Sequence, residues 1–284
     1  MRTYLIPTDF SSSSVAAAHY AAHLSRQTGV TRLILLHAYF VSTFENILPT
    51  AEFVQLMPYD IDENLRLKTK ELNDIKAELQ NIINEGVEIE IQLSRLPLLR
   101  AILEVQEENQ IDLLVLCSKG NFKEDTQVGR NIVNISNISP APVLVVPAKA
   151  VAEPLKKLVL ACDFKKVTEV VPQQKLKKVW DMLQAELLVV NVDPKDPKGL
   201  HQNKDPKMLA EESALQEMLE PYHPQYFFID QADTIQGIID FATKNHAQMI
   251  IALPRKYGFF QSFLHDSVSS DLTIKSSVPV LLLK

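Results

Sequence analysis

Residues 111–147 read IDLLVLCSKGNFKEDTQVGRNIVNISNISPAPVLVVP. Leu113-Leu114-Val115-Leu116 is a short apolar run bounded by turn residues, which fits a strand buried on both faces of a parallel sheet. Cys117-Ser118-Lys119-Gly120 opens a polar loop that closes at Gly129-Arg130-Asn131. Ile132, Ile135 and Ser136 carry a helical segment that Pro140-Ala141-Pro142 breaks. Val143-Leu144-Val145-Val146 reads as a second buried strand. The order is strand, glycine loop, helix, strand, with the loop at the carboxyl end of the first strand. Unpaired backbone N–H groups and a helix N-terminus converge at such a place, which suits phosphate. The ordinary alternative is a turn and a helix cap. Glycine is scarce in this chain, 7 among 284 residues against a usual share of roughly 7%. Gly120 and Gly129 therefore stand out within one loop.

Working outward from that loop, the chain alternates strands and helices. Tyr4-Leu5-Ile6-Pro7 is a short strand that runs into Thr8-Asp9-Phe10. Ser11 to Ser14 supply caps for a helix through His19 and His23, which Gly29 ends. Leu33 to His37 is a second buried strand. Residues 40–60, with Phe40, Phe44, Leu48, Phe53 and Met57, read as a long apolar connection suited to a lid or a contact surface. An amphipathic helix is expected over Ile61 to Glu85, a strand over Val87 to Gln92, and a helix over Pro97 to Asn109 with the proline in its first turn. That order implies a doubly wound parallel sheet.

The second half repeats the first. Leu158 to Phe164 matches the opening strand, with Asp163 lying 154 residues beyond Asp9. Leu187 to Val192 matches Leu33 to Ala38 at the same spacing. Ala247 to Leu253 matches Ile111 to Cys117 at 136, and Pro279 matches Pro142 at 137. Two domains of one fold are expected, 1–150 and 151–284, joined near Ala148 to Pro154.

Composition narrows the function classes. Hydrophobic residues make up 46% and charged residues 23%, as in ordinary globular proteins. No apolar run approaches the length of a membrane span. Met1-Arg2-Thr3 leads directly into the first strand, so we expect no signal peptide and a cytoplasmic location. The net charge is −6, with no basic stripe, which argues against nucleic acid. Cys117 and Cys162 fall at strand ends in different halves and read as packing residues. His19 and His23, four apart on one helical face, lack the pattern of a metal site. Lys175, Lys177 and Lys178 read as a solvated helix face. No Ser-His-Asp order and no Gly-Lys-Ser/Thr phosphate loop is visible, so no enzyme is expected.

These residues resemble the universal stress proteins in tandem form. The resemblance rests on Ile6-Pro7-Thr8-Asp9-Phe10-Ser11, Leu35-Leu36-His37-Ala38, the glycine loop and Pro142-Val143-Leu144-Val145-Val146. It implies two tandem Rossmann-like α/β domains of the adenine nucleotide alpha hydrolase type. Each would be a five-stranded parallel sheet flanked by helices, and the two would form a pseudo-dimer. Some members bind ATP through a loop of form Gly-x2-Gly-x9-Gly-Ser/Thr. On that pattern Cys117 takes the first glycine's place, Gly120 the second, Gly129 the third, and Arg130 the hydroxyl residue's. Eight residues separate Gly120 from Gly129 rather than the nine of that pattern. The resemblance places an adenine nucleotide, ATP or another, among Pro7, Thr8, Asp9, Ala38, Leu116, Cys117, Gly120, Gly129, Arg130 and Asn131. Arg130 and Lys119 would pair with phosphate, or Arg130 would fill the site.

In the second half, Leu253, Lys256 and Asp266 stand where glycines would, and only Ser267 keeps its type. A carboxylate there opposes an anion, so fold without site is expected. The implied role is regulatory or protective, either as a nucleotide-dependent sensor or as a ligand-free scaffold for protein partners yet to be identified. A further homodimer is left open. Because family dimers commonly pair through their last strands, residues 143–146 and 280–283 are expected to pair antiparallel within the chain.

Overall fold

The structure, a computed structural model, describes residues 2–39, 58–118, 132, 134–164, 167–192, 206–254 and 268–284. In the first half, β1 (Thr3–Pro7), β2 (Arg32–Ala38), β3 (Glu88–Ser94), β4 (Leu113–Cys117) and β5 (Val143–Val146) alternate with α1 (Ser12–Thr28), α2 (Pro58–Gln80) and α3 (Leu98–Glu108). Residues 134–138 are also helical. The second half repeats the strands as β6 (Lys157–Ala161), β7 (Glu186–Val192), β8 (Gln225–Ile229), β9 (Met249–Ala252) and β10 (Val280–Leu282). Its helices span Val167–Val170, Gln173–Leu183, Pro206–Leu219, Thr234–Lys244 and Val268–Lys275.

The ten strands of the described residues form one sheet in the order β3-β2-β1-β4-β5-β10-β9-β6-β7-β8. Each half is parallel within itself, as crossover helices on both faces require. The halves join antiparallel through β5 and β10, with Val145 opposite Val280, Leu144 opposite Leu281 and Val143 opposite Leu282. The expected pairing of the last strands is therefore present, and among the described residues it leaves β3 and β8 as the sheet edges.

Side-chain alternation divides the core into two layers. Tyr4, Ile6, Leu33 and Leu35 pack with Leu72 and Leu79 of α2 on one face. Leu5, Ile34 and Leu36 pack with Ala101, Ile102 and Val105 of α3 on the other. Each layer runs unbroken into the second half, the first through Leu144 and Leu281, the second through Val145 and Val280. Polar contacts reinforce the joint. The Gln27 Oε1 accepts from the Leu155 N–H at 2.9 Å, and Lys175 Nζ donates to the Pro140 carbonyl at 2.8 Å. Lys284 Nζ donates to the Asn137 carbonyl.

Local boundaries differ from expectation: α2 begins at Pro58 rather than Ile61, and β3 runs from Glu88 to Ser94 rather than from Val87 to Gln92. α2 stops at Gln80 rather than Glu85. The Asn81 and Ile82 N–H groups bond back to Glu78 and Leu79 in a turn, and Gly86, at φ 85°, swings the chain into β3. Pro97 is the N-cap of α3 rather than a member of its first turn. In the second half, the counterpart of α1 is broken into Val167–Val170 and Gln173–Leu183. Pro172 removes a helical N–H and disfavours helix at Val171. As expected, Gly29 closes α1 in the left-handed conformation at φ 60°.

Candidate functional site

β1 lies between β2 and β4, so the chain leaves it in opposite directions on its two sides. This is the switch point of a doubly wound sheet, where the carboxyl ends of strands open a crevice. Pro7 ends β1 opposite Leu36, and the Thr8 N–H still donates to the Leu36 carbonyl at 2.8 Å. Leu116 and Cys117 end β4 opposite Val145 and Val146, and the Ser118 N–H donates to the Val146 carbonyl at 2.9 Å. Ala38 ends β2 at the same side of the sheet. Pro7, Thr8, Asp9, Ala38, Leu116 and Cys117 thus gather at one end of three adjacent strands. Gly120, Gly129, Arg130 and Asn131 lie outside the described residues, as do Lys119 and the connection from Phe40 to Met57.

The turn after β1 is tied down by hydroxyl groups. Asp9 Oδ1 accepts from the Ser11 N–H at 3.0 Å and from Ser11 Oγ at 2.5 Å. Ser11 in turn caps α1, its Oγ accepting from the Ser14 N–H at 3.2 Å. Buried Thr8 and Ser14 share a hydrogen bond at 3.0 Å. These bonds bear out the cap reading at Ser11, while Ser12 to Ser14 lie within α1. Between Asp9 and Ser11, Phe10 sits at φ 63°, a left-handed conformation that costs a side-chain-bearing residue energy.

His37 holds that turn from below. The residue is 6% exposed, and its Nδ1 lies 2.8 Å from the Thr8 carbonyl oxygen. A carbonyl only accepts, so Nδ1 carries the proton and Nε2 the lone pair. Nε2 is buried without a partner among the described residues. The Phe10 ring lies 4.2 Å from the imidazole at 33°, and Lys68 Nζ stands 5.4 Å over the Phe10 ring. Burial pushes the His37 pKa below the ordinary imidazole value, against the Thr8 bond that favours the charged form.

From sequence, His37 stands in a strand and in the Leu35-Leu36-His37-Ala38 stretch that carries the resemblance, with no role of its own. The internal repeat held the signal. Residues 154 positions on reproduce the arrangement with different chemistry: Asn191 Nδ2 donates to the Cys162 carbonyl at 2.9 Å, and Phe164 takes φ 50°. Phe164 is 1% exposed and packs 5.7 Å from the Phe228 ring. Leu253 follows β9, whereas Lys256, Asp266 and Ser267 lie outside the described residues.

The remaining candidates have plain partners. His19 Nε2 lies 2.9 Å from Glu78 Oε2, and Lys177 pairs with Asp181 at 2.6 Å. Cys117 and Cys162 are half-buried against the core. Among the described residues no group of three or more metal-ligating side chains forms, and no helix is long and apolar enough to cross a membrane. Surface hollows beside Tyr222 and beside Phe227 do not reach the crevice.

Two parallel α/β units, repeated in tandem and each wound both ways from its first strand, define a two-domain protein of the doubly wound class. The chain belongs to the universal stress protein family, whose model matches it twice, over residues 1–147 and 155–284. It is similar in fold to a universal stress protein from Archaeoglobus fulgidus DSM 4304, at 18% identity and a TM-score of 0.70 over 99% of this chain and 96% of that one. A functionally unknown protein from Pseudomonas aeruginosa PAO1 aligns at 14% identity and 0.60, over 100% and 92%. The cytoplasmic domain of a prokaryotic cation chloride cotransporter aligns at 12% and 0.51, over 99% and 94%. Likeness at these identities establishes fold and leaves function to the site. A comparison with curated proteins gives no match.

Proposed function

We propose that this stress-response protein is regulatory or protective, and that it holds an adenine nucleotide in its N-terminal half only. The observation that carries the reading is the switch point at the end of β1, where Thr8 and Asp9 follow the strand that pairs with β4, which ends in Leu116 and Cys117. In sequence, the loop that follows holds Gly120 and Gly129. Asp9 is assigned to the adenosine, with Pro7, Thr8, Ala38, Leu116 and Cys117 lining its seat. Gly120, Gly129, Arg130 and Asn131 are assigned to the phosphates. The functional units are 1–150 and 151–284, the second without a ligand because Lys256 and Asp266 replace glycines. No catalytic residue is assigned, and the proposed site is cytoplasmic.

Calorimetric titration with ATP should give one site per chain, and Gly129→Asp, which mimics Asp266, should abolish it. Two equivalent sites would sink the assignment to one half. No heat at millimolar ATP would instead favour a nucleotide-free scaffold. That second reading draws on Cys117, which stands half-buried against the core where the family has its first glycine.

Arg130 gives a separate test. A guanidinium beside phosphate makes a charge-assisted contact worth about 1.5–3 kcal/mol. Arg130→Ser should then weaken ATP binding by about tenfold or more. Tighter binding would mean that Arg130 fills the site and excludes the ligand.

A further inference from the structure

We infer that His37 is a proton-operated latch on the turn from Thr8 to Ser11, closed when its ring is neutral and released when the ring is protonated. The neutral ring satisfies one need well: its Nδ1–H secures the Thr8 carbonyl at 2.8 Å. Its Nε2 lone pair faces no donor among the described residues. A second proton would place a buried N–H without an acceptor and a positive charge out of water.

The charged groups around the ring divide in sign. Lys68, from α2, opposes the imidazolium, while Glu71 of α2 and Asp9 of the turn favour it. Tyr39 lies parallel to the ring at 6.3 Å and accepts from Arg95 Nε through its hydroxyl at 3.0 Å. Desolvation outweighs the favourable partners. The cheapest response to protonation is rotation of the ring towards water, which breaks both the Thr8 bond and the Phe10 stack. Phe10 at φ 63° then loses the contact that holds a strained conformation, and the turn carrying Asp9 relaxes.

The second half supplies an internal contrast. Asn191 makes the same bond to the equivalent carbonyl and cannot titrate near neutrality. One half is therefore built to respond to protons and the other is not. The consequence for nucleotide rests on the reading above, since Asp9 is the group it assigns to the adenosine.

The test is nuclear magnetic resonance of the full-length, isotope-labelled chain from about pH 7.5 to about pH 5, the range in which histidine titrates. The Asp9, Phe10 and Ser11 amide signals should move with the midpoint of the His37 ring, below about 6.5. In His37→Asn, which borrows the other half's residue, those signals should keep their neutral-pH positions and lose their titration. His23 also titrates low, through burial and then the Arg26 and His19 charges, so His23→Asn serves as the control that leaves the movement intact. A wild-type ring that titrates while the three amides stay still overturns the latch, as does an Asn variant that titrates like wild type. Should the Asn variant not fold, His37→Gln and the wild-type titration decide alone. ATP titrated at both ends of the range should bind more weakly in acid. Absence of binding at both ends counts against the nucleotide assignment, while the amide signals still judge the latch.

Discussion

A chain lacking residues 279–284 should aggregate, or dimerise through the exposed edge of β5, instead of remaining a single ten-stranded unit. β10 is an internal strand, antiparallel to β5 on one side and parallel to β9 on the other. Its loss opens two edges at once, and an open apolar edge is a template for another chain. Val280, Leu281, Leu282 and Leu283 are all at most 4% exposed. Each represents roughly 1.5–3 kcal/mol of burial, a sum comparable with the whole stability of an ordinary domain. The Lys284 contact to Asn137 across the joint goes too. Gel filtration and a denaturant titration decide the matter. A truncated chain that stays monomeric with an unchanged midpoint would mean that the joint contributes little.

That joint was legible in the sequence because buried parallel strands carry a strong signal. Val143 to Val146 and Val280 to Leu283 are uninterrupted apolar runs, each led by a proline, and each would be an edge in its own half. The repeat was legible for the same reason. β2 and β7 begin and end 154 residues apart, at Arg32 and Glu186, then at Ala38 and Val192. Turn and cap chemistry was legible where one residue decides it, as at Gly29 and Ser11.

The features illegible in sequence depend on atoms brought together from far along the chain. Nothing in the identity of Phe10 announces a positive φ, since only glycine, asparagine and aspartate favour it locally. The pin from His37 exists only because β1 and β2 pair in a register that sets Thr8 beside it, 29 residues away. Pro172 splits the helix before β7, although its counterpart α1 in the repeat is unbroken. Of the candidate site, the strand-end residues could be placed, and the glycine loop falls outside the described residues.

Tyr4→Ala should destabilise the protein by about 3–5 kcal/mol, the range for removing a large buried aromatic side chain. Tyr4 is 0% exposed in the first core layer. Its hydroxyl donates to Thr28 Oγ1 at 2.7 Å, while Thr28 Oγ1 donates onward to the Leu24 carbonyl at 3.0 Å. Met182, from the second half, brings its sulfur within 3.6 Å of the same hydroxyl. Tyr4→Phe keeps the ring and removes only the polar link, at a cost of about 0.5–1.5 kcal/mol. The two variants together separate packing from hydrogen bonding.

The same residue predicts an alkaline limit. Burial raises the Tyr4 pKa above its ordinary value, an effect that the Thr28 bond only partly offsets. Burial raises Tyr20 in the same direction and pushes Tyr226 up to about 12. The unfolded chain gives up these protons near pH 10, so it binds fewer of them than the folded chain above that point. Stability present below about pH 10 is therefore lost as the pH rises towards the folded values. Thermal unfolding followed between about pH 9 and pH 11 should show this fall in the wild type. Tyr4→Phe removes one of the three groups, so its stability should decline less steeply over the same range. Equal slopes for the two proteins would show that Tyr4 ionises without cost, which a phenolate sealed between α1 and the second half's Met182 cannot do.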